Sequence, residues 1–169
     1  LTTIDLPEGW QISFSQSSVT VNSRHDSNNK ASLTATINVP ADALAGDNTI
    51  EFGVTVSGST TILASKVLTV SVAARHDLTA DILSTQQTGR SGQVVQFPID
   101  ITNTGNIRDT FKLQVCDPSD QTGCNPPMWA ASYSDTNGNS ISQVILDPSE
   151  SKRVFLDVTV EGEEDADSV

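Results

Sequence analysis

Cys116 and Cys124 are the two cysteines of the chain, separated by Asp-Pro-Ser-Asp-Gln-Thr-Gly. A pair this close across a Pro/Gly loop most naturally closes as a disulfide that staples the loop, which implies an oxidising compartment. Free thiols and a metal site are the alternatives. A metal would need more Cys or His ligands, and neither histidine is close in sequence. Asp117, Asp120, Asp135 and Asp147 stand in loop-like stretches that would gather at one end of a sheet structure. Oxygen-rich loops of this kind can hold Ca²⁺, so these residues are Ca²⁺ candidates on residue type alone. None has the spacing of an EF-hand, and Asp is also an ordinary turn residue.

Trp10, Trp129 and Tyr133 have the side chains of a sugar-stacking platform. Tryptophan is nevertheless mostly buried in folded proteins, and Trp10 and Trp129, with Phe97 and Phe111, are expected as core anchors. His25 and His76 both lie in Arg-His-Asp triplets, Arg24-His25-Asp26 and Arg75-His76-Asp77. Neighbouring charges could tune such a histidine, but solvated loop and linker chemistry is the simpler expectation. The chain has no Gly-x-Ser-x-Gly elbow, no zinc-protease helix motif and no phosphate-binding loop, and Gly89-Arg90-Ser91-Gly92 lacks the required spacing. No catalytic pair can be assembled, so the chain is not expected to be an enzyme and no cofactor is implied beyond the Ca²⁺ candidates.

The elements that would position these residues follow from alternation. Val95, Phe97, Ile99 and Ile101 alternate with polar or small neighbours, the period of a half-buried strand. Asn103-Thr104-Gly105-Asn106 breaks the pattern, and Phe111, Leu113 and Val115 restart it. This predicts strand, tight connection, strand: a central hairpin of an antiparallel sandwich. Earlier in the chain, strands are expected over Trp10 to Phe14, at Val19 and Val21, over Ala31 to Val39, at Ile50 to Val56, and over Ile62 to Val72. Pro40 to Gly46 can form one helical turn, too short to stand as a helix. Ala73 to His76 is the best boundary, after which Leu78, Ala80 and Ile82 open a new pattern. Strands near Trp129 to Tyr133, Val144 to Leu146 and Val154 to Val160 complete it. Short strands punctuated by Gly, Pro, Asn and Asp predict an all-β protein of two tandem Ig-like antiparallel β-sandwiches, residues 1–74 and 75–162, with an acidic linker or tail at 163–169.

An internal repeat runs out of phase with the chain. Trp10 and Trp129 are 119 positions apart, and Val39 and Val160 are 121 apart, giving a unit of about 120 residues. The first sandwich would then be the later part of one repeat and the second the earlier part of the next. Each would lack about two strands, leaving sheet edges open to neighbouring modules or to copies of the chain.

With 9 basic and 21 acidic residues the net charge is −12, which disfavours a nucleic-acid partner. No apolar run approaches the roughly 20 residues of a membrane-spanning helix. The sequence opens on Leu1 rather than Met, so the absence of a signal peptide says nothing about secretion.

Leu6-Pro7-Glu8-Gly9-Trp10, the turn from Val39 to Asp47, Asn103-Thr104-Gly105-Asn106 before Asp109-Thr110-Phe111, and Leu146-Asp147-Pro148-Ser149-Glu150-Ser151 resemble the NPCBM-associated Ig-like modules found beside α-galactosidases and in prokaryotic surface proteins. They are also similar to CARDB adhesion-type modules. The resemblance implies non-catalytic Ig-like sandwiches strung in tandem in an exported or cell-surface protein. It carries over no binding residue, and the Cys116–Cys124 insertion departs from its pattern. The expected role is a structural spacer or assembly module that pairs through sheet edges. The alternative is a module that binds a glycan or a protein through its end loops, with or without Ca²⁺.

Overall fold

Strand formation here needs a partner as well as an alternating sequence. The computed structural model describes residues 1–27, 29–117, 124 and 129–161. The chain divides into two compact units, Leu1–Ala74 and Arg75–Val169. The strands are all-antiparallel, and no helix occurs among the described residues.

The first unit contains β1 (Thr2–Asp5), β2 (Gln11–Phe14), β3 (Ala35–Asn38), β4 (Gly46–Thr55) and β5 (Ile62–Val72). They form a three-stranded sheet in the order β1-β4-β5 and a two-stranded sheet of β2 and β3. Trp10, Ala43 and Ile50 are buried at the centre, with Leu6, Ile12, Ile37, Val70 and Val72 packed around them. Trp10 is therefore a core anchor, 6% exposed. The predicted turn at Pro40 closes when the Ala43 N–H donates to the Pro40 carbonyl, 3.1 Å.

Two expectations fail in this unit. Val19 and Val21 form no strand, and the alternation of Ala31 to Val39 becomes strand only over Ala35–Asn38. The cause is pairing. β3 has β2 alone beside it, and β2 is four residues long. An extended segment whose backbone groups have no neighbouring strand gains nothing from its alternating side chains.

The second unit contains β6 (Leu78–Ile82), β7 (Val94–Asn103), β8 (Asp109–Lys112), β9 (Ala131–Ser134), β10 (Ser140–Ile141), β11 (Gln143–Leu146) and β12 (Ser151–Thr159). A five-stranded sheet runs β10-β9-β12-β7-β6, and β11 pairs with β8 in a second sheet. Ile99 and Ile101 from β7 and Val154 from β12 meet Val144 and Leu146 from β11, giving a two-layer core.

The predicted central hairpin is corrected here. β7 pairs with β12 and β6, whereas β8 pairs with β11, so Asn103 to Arg108 crosses from one sheet to the other. Asn103 explains the crossing. It is 0% exposed, and its Nδ2 donates to the Ile107 carbonyl (2.9 Å) and the Leu146 carbonyl (3.0 Å). Its Oδ1 accepts the Gly105 N–H at 2.9 Å. A buried amide so fully satisfied holds an arch between layers, where a tight hairpin would pair the flanking strands directly. Phe111 is half-buried and packs against this core.

Candidate functional site

The residues singled out by the sequence fall in the cores, strands and loops of the two units. Cys116 and Cys124 are joined in a disulfide with their Cα atoms 4.7 Å apart, and there is no free cysteine. Asp120 lies outside the described residues, as does the acidic tail from residue 162 onward.

The Asp135 carboxylate is engaged by its own turn. Its Oδ1 accepts the N–H groups of Asn137 and Asn139, both at 2.8 Å, and its Oδ2 accepts Asn139 Nδ2 at 3.0 Å. The Asn139 side chain, followed by these backbone donors, holds the carboxyl below its ordinary range. This is how an Asp closes a strand-to-strand turn. Asp147 stands 3.6 Å from Arg108 Nε, and its N–H donates to Glu150 Oε2 at 2.8 Å. Asp117 is half-buried next to the disulfide. Among the described residues no three His, Cys, Asp or Glu side chains gather where they could hold a metal ion.

The Arg75-His76-Asp77 triplet is exposed to solvent and is also hydrogen-bonded to the arch. Arg75 N–H donates to Asn106 Oδ1 at 2.7 Å, and Arg75 Nη2 donates to the Thr104 carbonyl at 2.8 Å. The Asp77 carbonyl accepts the N–H groups of Thr104 and Gly105, and the Arg75 carbonyl accepts that of Asn106. His76 Nδ1 lies 2.6 Å from Asp109 Oδ2. That hydrogen bond, with one from the Thr110 N–H, lowers the Asp109 carboxyl from its usual range. The triplet thus clips the start of the second unit onto the turn that the sequence presents as a simple loop. Alternation analysis has no signal for such a clip, because it is made by backbone groups and an Asn side chain. His25 lies in an exposed loop and is brought to none of these groups.

Trp129 is a further correction. It is 37% exposed and is not a core anchor. It borders an apolar hollow of about 340 Å³ that is also lined by Ile82, Phe97, Ile99, Leu156 and Val158. Phe97 is half-buried at this hollow instead of in the closed core. Tyr133 is half-buried beside the core, and burial pushes its phenol above the usual value.

A further exposed apolar surface is β5. It is the edge strand of its sheet, with Ile62, Leu63, Val67 and Leu68 all exposed. Leu63 reaches 65% exposure at the bulge opposite Val54 and Thr55, and Val67 and Leu68, consecutive in the regular part of the ladder, put exposed apolar side chains on both faces. Among the described residues no helix is long and apolar enough to cross a membrane. No protein-family model, characterised protein or solved structure matches the chain.

Proposed function

We propose that the chain is a non-catalytic structural module, a spacer and assembly unit built of tandem Ig-like sandwiches in an exported or cell-surface protein. The observation that carries this is β5, an eleven-residue edge strand whose unpaired backbone side is flanked by exposed apolar side chains on both faces. Such an edge is a template for pairing with another strand. Lys66 is the one charge that interrupts it. The disulfide fits an oxidising compartment, and the turn signatures resembling NPCBM-associated and CARDB modules fit the same role.

Light scattering of the purified chain at micromolar concentration, with and without Ca²⁺, tests the proposal. A metal-independent oligomer or filament that the double substitution Leu63→Lys and Val67→Lys dissolves is the expected result. A monomer at every concentration would remove it.

A second reading draws on Trp129. An exposed tryptophan at the border of an apolar hollow is also what a glycan-stacking site uses. Retention on immobilised polysaccharide that is lost in Trp129→Ala, with the fold intact, would favour it.

A further inference from the structure

Two ladders in the chain share one register. In the first unit Ile12 pairs with Ile37 and Phe14 with Ala35. In the second, Ala131 pairs with Val158 and Tyr133 with Leu156. From the first ladder to the second, one strand moves on by 119 positions and its partner by 121. Those are the separations of Trp10 from Trp129 and of Val39 from Val160. Sequence spacing and strand pairing are independent observations, and they agree. The inward faces agree as well, though not position by position: Ile12 and Ile37 pack on one core, and Tyr133 and Leu156, the counterparts of Phe14 and Ala35 two residues along the same faces, pack on the other. Trp10 and Trp129 therefore hold equivalent places, each just ahead of the first strand of its ladder.

Their surroundings differ in one respect. Trp10 is covered by Ala43, Ile50, Val70 and Val72, which come from β4, β5 and the turn leading into them. Among the described residues nothing of that kind follows β12. The second sheet, β8 with β11, covers the part of the five-stranded sheet around Ile101 and Val154. The part around Ile82, Phe97, Leu156 and Val158 stays open, with Trp129 at its border. Val158 is the counterpart of Ile37, a residue that packs in the cluster of Trp10 with Ile50, Val70 and Val72.

We propose that the Trp129 hollow is the seat of a β-hairpin of the β4–β5 pattern, carried by the same polypeptide beyond Val160. This rests on the tandem-module reading and names the partner of its second unit. A second copy of the chain is not the source, because Ile50 of its β4 is already 0% exposed in its own core. The acidic stretch after Val160 does not repeat Pro40 to Asp47. The hairpin is defined by what it must cover: alternating aliphatic side chains that meet Trp129, Phe97 and Val158, as Ile50, Val70 and Val72 meet the Trp10 cluster.

The test grafts a second copy of Pro40–Ala74 directly after Val160 of the full chain, labelled with 5-fluorotryptophan. Two ¹⁹F resonances result, and Trp129→Phe assigns them. On grafting, the Trp129 resonance is expected to lose most of its H₂O/D₂O solvent shift, while that of Trp10 stays unchanged. Ile50→Lys with Val70→Lys in the added copy should restore the exposure. A folded graft in which Trp129 keeps its full solvent shift overturns the proposal. Should the graft fail to fold, a synthetic peptide of Asp47–Val72 added to the unmodified chain gives the same readout. A Trp129 resonance unmoved up to millimolar peptide then overturns it. Simple sugars that move this resonance in the unmodified chain would instead make the hollow a glycan platform and also overturn it. Leu63→Lys and Val67→Lys in the added copy keep it from supplying a second pairing edge, so self-association through the first unit's own Leu63 and Val67 is read separately and failure here is distinguishable from failure of the assembly role.

Discussion

Gly105 sits so close to Arg75 that a β carbon built on it would overlap the Arg75 carbonyl oxygen, while also lying 3.0 Å from Asn103 Oδ1 and 3.1 Å from the Asp77 nitrogen. Glycine is required here for close approach of two backbones rather than for a turn conformation. Gly105→Ala must push the Arg75-His76-Asp77 segment off the arch, and overpacking of this kind costs about 1–3 kcal/mol. Urea unfolding of the second unit should show that loss. Amides of Thr104, Gly105 and Asn106, which donate to Asp77 and Arg75, should exchange faster in the variant.

Asn103 gives a second expectation. Its side chain satisfies the Ile107 and Leu146 carbonyls and the Gly105 N–H from a site with no solvent access. Asn103→Leu would fill the space but take this donor from the Ile107 and Leu146 carbonyls, while the Gly105 N–H keeps the Asp77 carbonyl. Each such group costs about 1–3 kcal/mol, so a total near 3 kcal/mol is expected. Asn103→Asp keeps the acceptor but loses both donors and should be no better at neutral pH. Denaturant midpoints of the two variants check this.

Much of the fold was legible because it rests on alternation and breakers. The strand expected over Ile62 to Val72 forms over that span, and the boundary at Ala73–His76 contains the division after Ala74. What was not legible depends on partners. Ala31 to Val39 alternates as cleanly as β12, yet β12 is strand over nine residues because β7 lies beside it throughout, and β3 has only β2. Trp129 reads like Trp10, and the difference between them lies in what covers each ring. The Gln93 to Val115 stretch shows two strands, but only Asn103 shows that they belong to different layers, and a single polar residue in a turn carries no periodic signal. The Cys116–Cys124 bridge needed spacing alone.

Acid should loosen the second unit in a defined direction. Asp109 is lowered first by its hydrogen bond to His76, Asp135 first by the Asn139 side chain, and Asp100 first by Arg153, which meets it in a bidentate pair at 2.7 and 2.8 Å. A carboxyl whose folded pKa is depressed adds stability that is fully present above the unfolded value, about 3.9, and is lost as pH falls through the folded one. Urea midpoints should therefore hold between pH 7 and 5 and fall below pH 4. Asp109→Asn should be less stable than the parent at pH 6, and the two should converge near pH 2. Midpoints measured across that series decide it.

Reduction of Cys116–Cys124 opens a short loop whose closure entropy is on the order of 2.5 kcal/mol in the chain-entropy treatment. The bridge lies wholly within the second unit, and the Leu1–Ala74 core contains none of its residues. Dithiothreitol, or Cys116→Ser with Cys124→Ser, should lower the unfolding midpoint of the second unit and leave that of the first in place. Near-ultraviolet circular dichroism, with Trp10 and Trp129 as separate probes, would resolve the two transitions.

The tryptophans themselves should respond in opposite ways. Trp10 is one of three buried residues at the centre of the first unit, beside Ala43 and Ile50. A core this small has little to relax into a void. Removing an aromatic from such a place costs about 3–5 kcal/mol, a large share of the stability of a small domain. Trp10→Ala is expected to unfold the first unit at room temperature while the second keeps its sheet. Trp129 is 37% exposed, so its truncation removes only part of one wall of an open hollow. Trp129→Ala should shift stability by no more than about 1 kcal/mol, nearer to a surface substitution than to a core one. Iodide should quench Trp129 in the Trp10→Phe chain and leave Trp10 bright in the Trp129→Phe chain. Equal quenching of the two would mean that both rings are covered alike in solution, and the hollow beside Phe97 and Val158 would be closed.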